Sequence, residues 1–457
     1  MFVGRNKELR ILHDRYQRNS FELCILYGKK GVGKTSLLRE FVKDKKGCFY
    51  LAEEKNDSLN IRSFCKCVYQ FFDVDSASPL LQKWNDIFSF ISKQKMEERF
   101  VLIIDEFPNL AKENKSLMSK LQHCIDHDWM DKNIMLILSG SSIPFMEDEV
   151  LGYQSPLYGR RTTKLKLEPF DYLESVEFYP AYSDEDKIRM YSIYGGFPRS
   201  LSMIDSKRSV RDNVCQTILS SKSYLYDDPV TLLKSEVRYP NIYHSILDAM
   251  GKGLATVSEI AKKIHEEPVK CSKCIHTLEN LEMVEMIIPR GEKEYSRNRR
   301  YQISDSYVHF WYYMISAHRG TLVQNGDELF YDTFILPNLD DYLALEFVKI
   351  CTQYMIRMSK AGKLPFLCMA IRGYWKKNCE DIDFLLVGQN SEMYCKCKWN
   401  NTPLDVEDID HLKAVAKQFS VEDRYYALFS KSGFTEGVKE LAKKNDHVTL
   451  VEVKDLF

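Results

Sequence analysis

Three features of the sequence predict an α/β protein whose first third is a doubly wound parallel sheet, followed by smaller helical and α/β modules. Residues 23–27, 100–104 and 134–138 are short, almost wholly apolar runs, with the composition of strands buried on both faces. Helical stretches alternate with them, as in strands joined by crossover helices. The length of 457 residues, at roughly 100–200 per domain, leaves room for two to four domains. Hydrophobic residues make up 44% and aromatics 12%, which excludes a disordered tract, and 20 Gly with 14 Pro exclude a collagen-like or mucin-like polymer. Sixty-four basic against 65 acidic residues leave a formal charge of −1, so bulk charge points to no nucleic-acid partner. The N-terminal Met1-Phe2-Val3-Gly4-Arg5 leads into charged residues instead of an apolar signal core. No run approaches the ~18 apolar residues of a membrane span. A soluble, cytoplasmic protein with no membrane partner is expected. The 13 cysteines, an odd number scattered through apolar runs, read as small core residues of a reducing compartment.

The first strand, Leu23-Cys24-Ile25-Leu26-Tyr27, passes into Gly28-Lys29-Lys30-Gly31-Val32-Gly33-Lys34-Thr35-Ser36 and then a helix with Leu37, Leu38 and Phe41 on its apolar side. The spacing Gly28-x4-Gly33-Lys34-Thr35 is that of a phosphate-binding loop (P-loop) in its expected strand–loop–helix setting. Glycines let backbone N–H groups close around phosphates, and the helix N-terminus adds a favourable dipole. Lys34 would reach the β- and γ-phosphates of ATP, and the Thr35 hydroxyl would ligate Mg²⁺. The second strand ends in Asp105-Glu106: Asp105 would hold Mg²⁺ through water, and Glu106 would polarise the attacking water. The third ends in Ser139-Gly140-Ser141-Ser142, where Ser139 is either a γ-phosphate sensor or part of an ordinary strand-ending turn.

Three further segments accompany these motifs. Phe2-Val3-Gly4-Arg5-x2-Glu8-Leu9 precedes the loop, Leu157-Tyr158-Gly159-Arg160-Arg161-Thr162 follows the third strand, and Gly195-Gly196-Phe197-Pro198 comes later. Together they make essentially the whole chain resemble the archaeal-type ATPase family within the AAA+-related signal-transduction ATPases (STAND class). The resemblance implies that Val3, Gly4 and Arg5 line adenine and ribose. It also implies that Pro198 of a helical lid packs against the base, and that Arg160 or Arg161 touches the γ-phosphate. An arginine there would neutralise charge developing in phosphoryl transfer; the alternative is a solvated surface pair. The expected organisation is an ATPase core over 1–167, a helical lid over 168–235, a winged helix over 236–315 and a nuclease-like domain over 316–457.

The third of these modules rests on its own pattern. A helix containing Ile242, Ile246, Leu247 and Met250 stops at Gly251-Lys252-Gly253, and Thr256 or Ser258 caps a second. A third helix spans about 269–282, and residues 284–288 and 300–303 pair as a hairpin across a basic tip. Three helices and a hairpin describe a winged helix-turn-helix. Residues 236–315 hold eleven basic and eleven acidic side chains, so the module has no basic footprint overall. Its hairpin tip is different: Arg290, Lys293, Arg297, Arg299 and Arg300 outnumber Glu292 and Glu294, and Lys270, Lys273 and His276 would add helix contacts to DNA. Such modules also serve as arms between domains in this ATPase class, so DNA binding and an arm both stand. Cys271-x2-Cys274 lacks the ligand spacing of a zinc finger and reads as ordinary helix.

In the last module, 343–348 reads as helix, and 384–387 and 393–399 read as strands. Alternation puts Met393, Cys395, Cys397 and Trp399 on one face of the second strand, and Glu392, Tyr394, Lys396 and Lys398 on the other. This resembles the PD-(D/E)xK nuclease-like domain at the C-terminus of the same ATPase family. Glu346, Asp383 and Lys398 match its pattern, but the second acid falls on Lys396. An ammonium within ~4 Å of Mg²⁺ would repel it by several kcal/mol, so a degenerate site is expected, with Glu392 or Glu380 as possible substitutes. Three functions remain open: an ATP-driven switch, a DNA-binding regulator holding structural nucleotide, and a metal-dependent nuclease. An unknown protein partner and an oligomer are compatible with each.

Overall fold

The computed structural model describes residues 2–96, 98–293, 295–375 and 382–457. By packing, the chain divides into two units: Met1–Pro169 together with Phe197–Arg199, and Phe170–Gly196 together with Ser200–Phe457.

In the first unit, α1 (Asn6–Tyr16), β1 (Glu22–Tyr27), α2 (Lys34–Val42), β2 (Gly47–Leu51), α3 (Asp57–Phe71), β3 (Phe100–Asp105), β4 (Ile134–Gly140) and β5 (Thr163–Lys166) follow in chain order. All five strands are parallel, in the order β2-β3-β4-β1-β5. Every residue of β1, β3 and β4 is buried, which is why their sequences read as continuous apolar runs. Leu37, Leu38 and Phe41 of α2 pack on one face with Cys24, Leu26, Ile103 and Ile137. Leu23, Ile25, Leu102 and Leu136 pack on the other with Phe64, Trp84 and Trp129. Because β4 lies between β1 and β3, with Leu26 opposite Ser139 and Ile104 opposite Leu138, its carboxyl end stands between those of β1 and β3. Strand alternation then sends Asp105 and Ser139 to the α2 face at that edge.

In the second unit, the expected three helices and hairpin are α4 (Pro240–Gly251), α5 (Val257–Ile264), α6 (Pro268–Asn280), β6 (Val284–Ile287) and β7 (Arg300–Ile303). Helix α5 starts at a capping box formed by Thr256 and Glu259. After the long helix α7 (Leu339–Lys360) comes a second five-stranded sheet of β8 (Ala370–Arg372), β9 (Phe384–Val387), β10 (Ser391–Lys398), β11 (Asp423–Ser430) and β12 (Val448–Glu452). Strands β10, β11 and β12 are parallel, whereas β9 runs antiparallel to both β10 and β8. Met393, Cys395 and Trp399 face α7, and Tyr394 lies on the opposite face under helix Val406–Ala416, as alternation predicts. One apolar core runs through this unit, from Phe170 by way of Ile246, Leu278, Phe310 and Tyr342 to Phe429 and Leu456. No helix among the described residues is long and apolar enough to cross a membrane.

Candidate functional site

The loop between β1 and α2 turns on glycines that no other residue replaces without strain. Gly33 caps α2 at φ 96°, and Gly28 has φ 151°, where a Cβ would lie 2.4 Å from the Leu167 carbonyl oxygen. Buried Val32 anchors the loop in the α2-side core. Lys34 is buried too, and its Nζ donates to the carbonyls of Gly28 at 2.8 Å and Lys29 at 3.0 Å. Burial pulls the ammonium below its ordinary pKa, while Glu106 and Asp105 oppose that shift. Arg5, in a left-handed conformation at φ 59°, donates from one guanidinium nitrogen to Val32 O at 3.1 Å and Glu168 O at 2.6 Å. The Val3-Gly4-Arg5 segment therefore meets the loop through the loop's own backbone.

The carboxylates stand beside it. Thr35 Oγ1 donates to Asp105 Oδ2 at 2.6 Å, and the other Asp105 oxygen accepts from Glu106 N at 3.1 Å. Asp105 is fully buried. Glu106 has φ 54°, and its carboxylate accepts from both the backbone N–H (3.2 Å) and the hydroxyl of Ser141. The strand tip singled out in the sequence thus matters, but the side chain that grips Glu106 is Ser141. Ser139 is buried on the α2 side, and its hydroxyl has no hydrogen-bond partner among the described residues.

Phe197–Arg199 belongs to this same unit. A Cβ on Gly33 would lie 3.5 Å from Pro198, and one on Gly31 would lie 3.5 Å from the Arg199 side chain. Lys29 Nζ sits 5.9 Å from the Phe197 ring centroid. The arginine against the phosphate loop is therefore Arg199, which the sequence reading missed although it directly follows Pro198. Arg160 and Arg161 require correction. They precede β5, where Thr162 N donates to Leu23 O at the start of β1, whereas the phosphate loop follows the end of β1. Four residues of strand, ~13 Å, separate the two edges. Arg160 makes a two-pronged ion pair with Asp126 at 2.7 and 2.8 Å, and Arg161 donates to Leu151 O. Neither reaches a γ-phosphate held on its own chain.

The nuclease-like constellation does not assemble either. Glu346 is 1% exposed on the core side of α7, 2.6 Å from His309 Nδ1 and 2.8 Å from Lys349 Nζ. Although burial pushes Glu346 up, the Lys349 charge and the His309 hydrogen bond hold its pKa at about 2. Burial and the Lys349 charge push the His309 pKa down, while Glu346 opposes that shift. Asp383 is spent on Cys397 N at 2.6 Å. Lys398 issues from the other sheet face and lies 3.4 Å from Asp408 of helix Val406–Ala416, and alternation puts Lys396 on that face too. The sheet itself separates these lysines from Glu346. No group of three or more His, Cys, Asp or Glu among the described residues could hold a metal ion. Glu380 lies outside the described residues.

The basic hairpin tip is also partly committed. Arg290 N donates to Gly373 O at 2.9 Å, and Gly373 N donates to Ile288 O at 3.1 Å. The Arg290 guanidinium lies 2.8 Å from buried Glu392 and 4.1 Å from the Phe419 ring centroid. Arg300 stacks 4.5 Å from Trp375, whose Nε1 donates to Asn298 O. Arg290 is thus engaged on β10 of the second sheet, whereas Arg300 remains exposed beside Trp375. Arg299 lies against Tyr301, and Lys270 pairs with Glu266. Lys273, Lys293 and Arg297 are exposed, and Glu294 lies outside the described residues.

The parallel sheet, the glycine loop and the Thr35–Asp105–Glu106 set have the arrangement of a P-loop ATPase. A family model described as an ATPase domain predominantly from Archaea matches residues 2–204. A second family, archaeal and bacterial proteins of unknown function, matches residues 311–412. An uncharacterised protein of Methanocaldococcus jannaschii is 28% identical over 465 residues, covering 100% of both chains. An uncharacterised ATP-binding protein of the same organism is 46% identical over 46 residues, 10% of this chain and 78% of its own. A Walker-type ATPase of Pyrococcus abyssi shares the fold, with a TM-score of 0.51 and 20% identity over 68% of this chain and 96% of its own.

Proposed function

We propose that the chain is an ATP-hydrolysing switch whose nucleotide state is read out by its second unit. The observation that carries this reading is the contact set Thr35–Asp105–Glu106–Ser141 beside Lys34. The Thr35 hydroxyl and Asp105 carboxylate are hard oxygen donors 2.6 Å apart, a donor set that suits Mg²⁺. Bound there with nucleotide, Mg²⁺ would neutralise charge on the β- and γ-oxygens. Lys34 and Arg199 would bind the phosphates. Glu106, released from Ser141, would accept the proton of the attacking water, and Ser139 would offer its unpaired hydroxyl to the γ-phosphate.

The readout follows the chain. Phe197–Arg199 counts with the ATPase unit, while the residues on either side of it count with the second unit. Nucleotide that repositions Pro198 and Arg199 would therefore act on both flanking segments. We read α4–α6 with the β6–β7 hairpin as a winged helix serving as an arm, because Arg290 and Arg300 tie its tip to Glu392 and Trp375. The sheet of β8–β12 fits a degenerate nuclease-like module kept for binding. The test is ATP turnover in the wild type, Lys34→Ala and Glu106→Gln. Strong loss in both variants supports the reading, and equal background rates in all three would sink hydrolysis.

A second reading, a DNA-binding regulator, draws on the exposed Lys273, Lys293 and Arg297. It predicts salt-dependent binding to duplex DNA that weakens in Lys273→Glu and Arg297→Glu. No binding at low salt, with or without ATP, would retire it.

A further inference from the structure

The ATPase unit holds two thiols in direct contact. Cys48, the second residue of β2, is 2% exposed, and its Sγ lies 3.3 Å from Sγ of Cys67 on α3. Cys67 is only half-buried, so a small molecule approaching this pair meets Cys67 first. Their chemistry differs from that of the other cysteines. Burial pushes the thiols of Cys24, Cys65, Cys124, Cys215, Cys271, Cys274, Cys351, Cys368, Cys395 and Cys397 above their ordinary value. Cys67 alone among the described cysteines is held below it, because Cys48 donates a hydrogen bond to its sulfur. Cys48 is correspondingly pushed up, first by that hydrogen bond and then by burial. As a neutral thiol Cys67 can donate to Phe49 O at 3.4 Å, and as a thiolate it accepts from Cys48. A half-buried cysteine whose sulfur touches a second, buried thiol is the arrangement of an attacking and a resolving cysteine.

We propose that Cys48 and Cys67 form a reversible oxidation site whose co-reactant is a low-molecular-weight disulfide, with Cys67 attacking and Cys48 resolving. The Cys67 thiolate attacks one sulfur of the small disulfide R–S–S–R, forming Cys67–S–S–R and expelling R–S⁻. That thiolate takes the Cys48 proton and leaves as R–SH. The Cys48 thiolate then attacks Cys67 Sγ, forms the internal disulfide and expels the second R–S⁻. The protein gives up two electrons, and the small disulfide is reduced to two thiols. Closing 3.3 Å to the ~2.05 Å of a disulfide asks each sulfur to move well under 1 Å. The bond would tie α3 to β2, whose last residue, Leu51, is in register with Asp105.

The test is exposure of the full, reduced chain to oxidised glutathione, followed by intact mass and a non-reducing peptide map. The expected wild-type product has lost two hydrogens, carries one cross-linked pair of peptides holding Cys48 and Cys67, and returns to the starting mass with dithiothreitol. Cys48→Ser should stop at the mixed disulfide, gaining one glutathione on Cys67, and Cys67→Ser should leave Cys48 unmodified. The proposal is overturned if wild-type protein keeps glutathione on Cys67 without cross-linking, if oxidation falls on other cysteines, or if neither sulfur reacts. The wild-type map decides alone should either variant fail to fold, and none of these readouts depends on ATP turnover.

Discussion

The phosphate loop and the Glu346 cluster both place acidic and basic side chains together, yet they hold those charges in different ways. Around the loop, Lys34, Asp105 and Glu106 stand at the carboxyl edge of a parallel sheet, held by short contacts to Thr35, Ser141 and loop carbonyls. Around Glu346, the charges close on one another. Lys349 and His309 occupy one carboxylate oxygen, and the remaining Lys349 reach goes to Ile303 O at 2.9 Å. A catalytic cluster keeps its groups on an edge that substrate can enter, whereas a structural one satisfies them internally.

The largest effect that could break this contrast is Glu106→Gln. It should cut kcat for ATP hydrolysis by ~10²–10⁴-fold while leaving nucleotide binding intact; Glu346→Gln should leave turnover unchanged. Turnover assays with a fluorescent-nucleotide binding control check both. Next comes Lys349→Met, which strands a buried carboxylate and should cost ~3–5 kcal/mol in urea unfolding. Its pH signature follows from the depressed Glu346 pKa. The contribution is full above about pH 4.5 and is lost progressively as pH falls toward about 2. Wild type and Glu346→Gln should therefore converge in stability across that acidic window, and a constant difference down to pH 2 would contradict the ion pair. Third, Arg199→Ala should slow turnover by ~10–100-fold. Arg160→Ala, in dilute protein, should change the rate by less than about 2-fold and stability by no more than ~1 kcal/mol. Equal losses in the two variants would return the phosphate contact to Arg160. The smallest effect is Ser141→Ala, expected to shift kcat by about 2–10-fold, since one charge-assisted hydrogen bond is at stake.

The sequence announced the loop because strand, glycines, Lys34 and Thr35 are contiguous, and their geometry follows from local backbone rules. Asp105-Glu106 was equally legible, since a buried parallel strand must end at the ligand edge. Ser141 was within sight but not chosen: whether Ser139 or Ser141 meets Glu106 depends on a bend after β4 that alternation alone does not specify. Arg199 and Arg160 have the same composition-level signal, and only strand register tells which edge each occupies. Glu346 matched the nuclease-like pattern because a helix glutamate looks the same whether it faces a cleft or a core. Its true partners, His309 and Lys349, include one from a helix thirty-seven positions earlier. The hairpin arginines show the same limit, since Glu392 and Trp375 reach them from a distant part of the chain. Strands β8, β11 and β12 went unread, although residues 425–429 of β11 form an apolar run and residues 448–451 of β12 are broken only by Thr449.

The place of β4 has a consequence for biosynthesis. A nascent chain that has emerged as far as Glu106 already carries the phosphate loop and both acidic residues, yet β1 and β3 are not neighbours in the finished sheet. They meet only through β4, which lies some thirty residues further on, so early collapse of β1 onto β3 would give a mispaired intermediate. Any early pairing of β1 with β3 would have to be undone before Ile134–Gly140 takes its place between them. Pausing of translation or chaperone contact between codons 106 and 134 would bear directly on the yield of active enzyme.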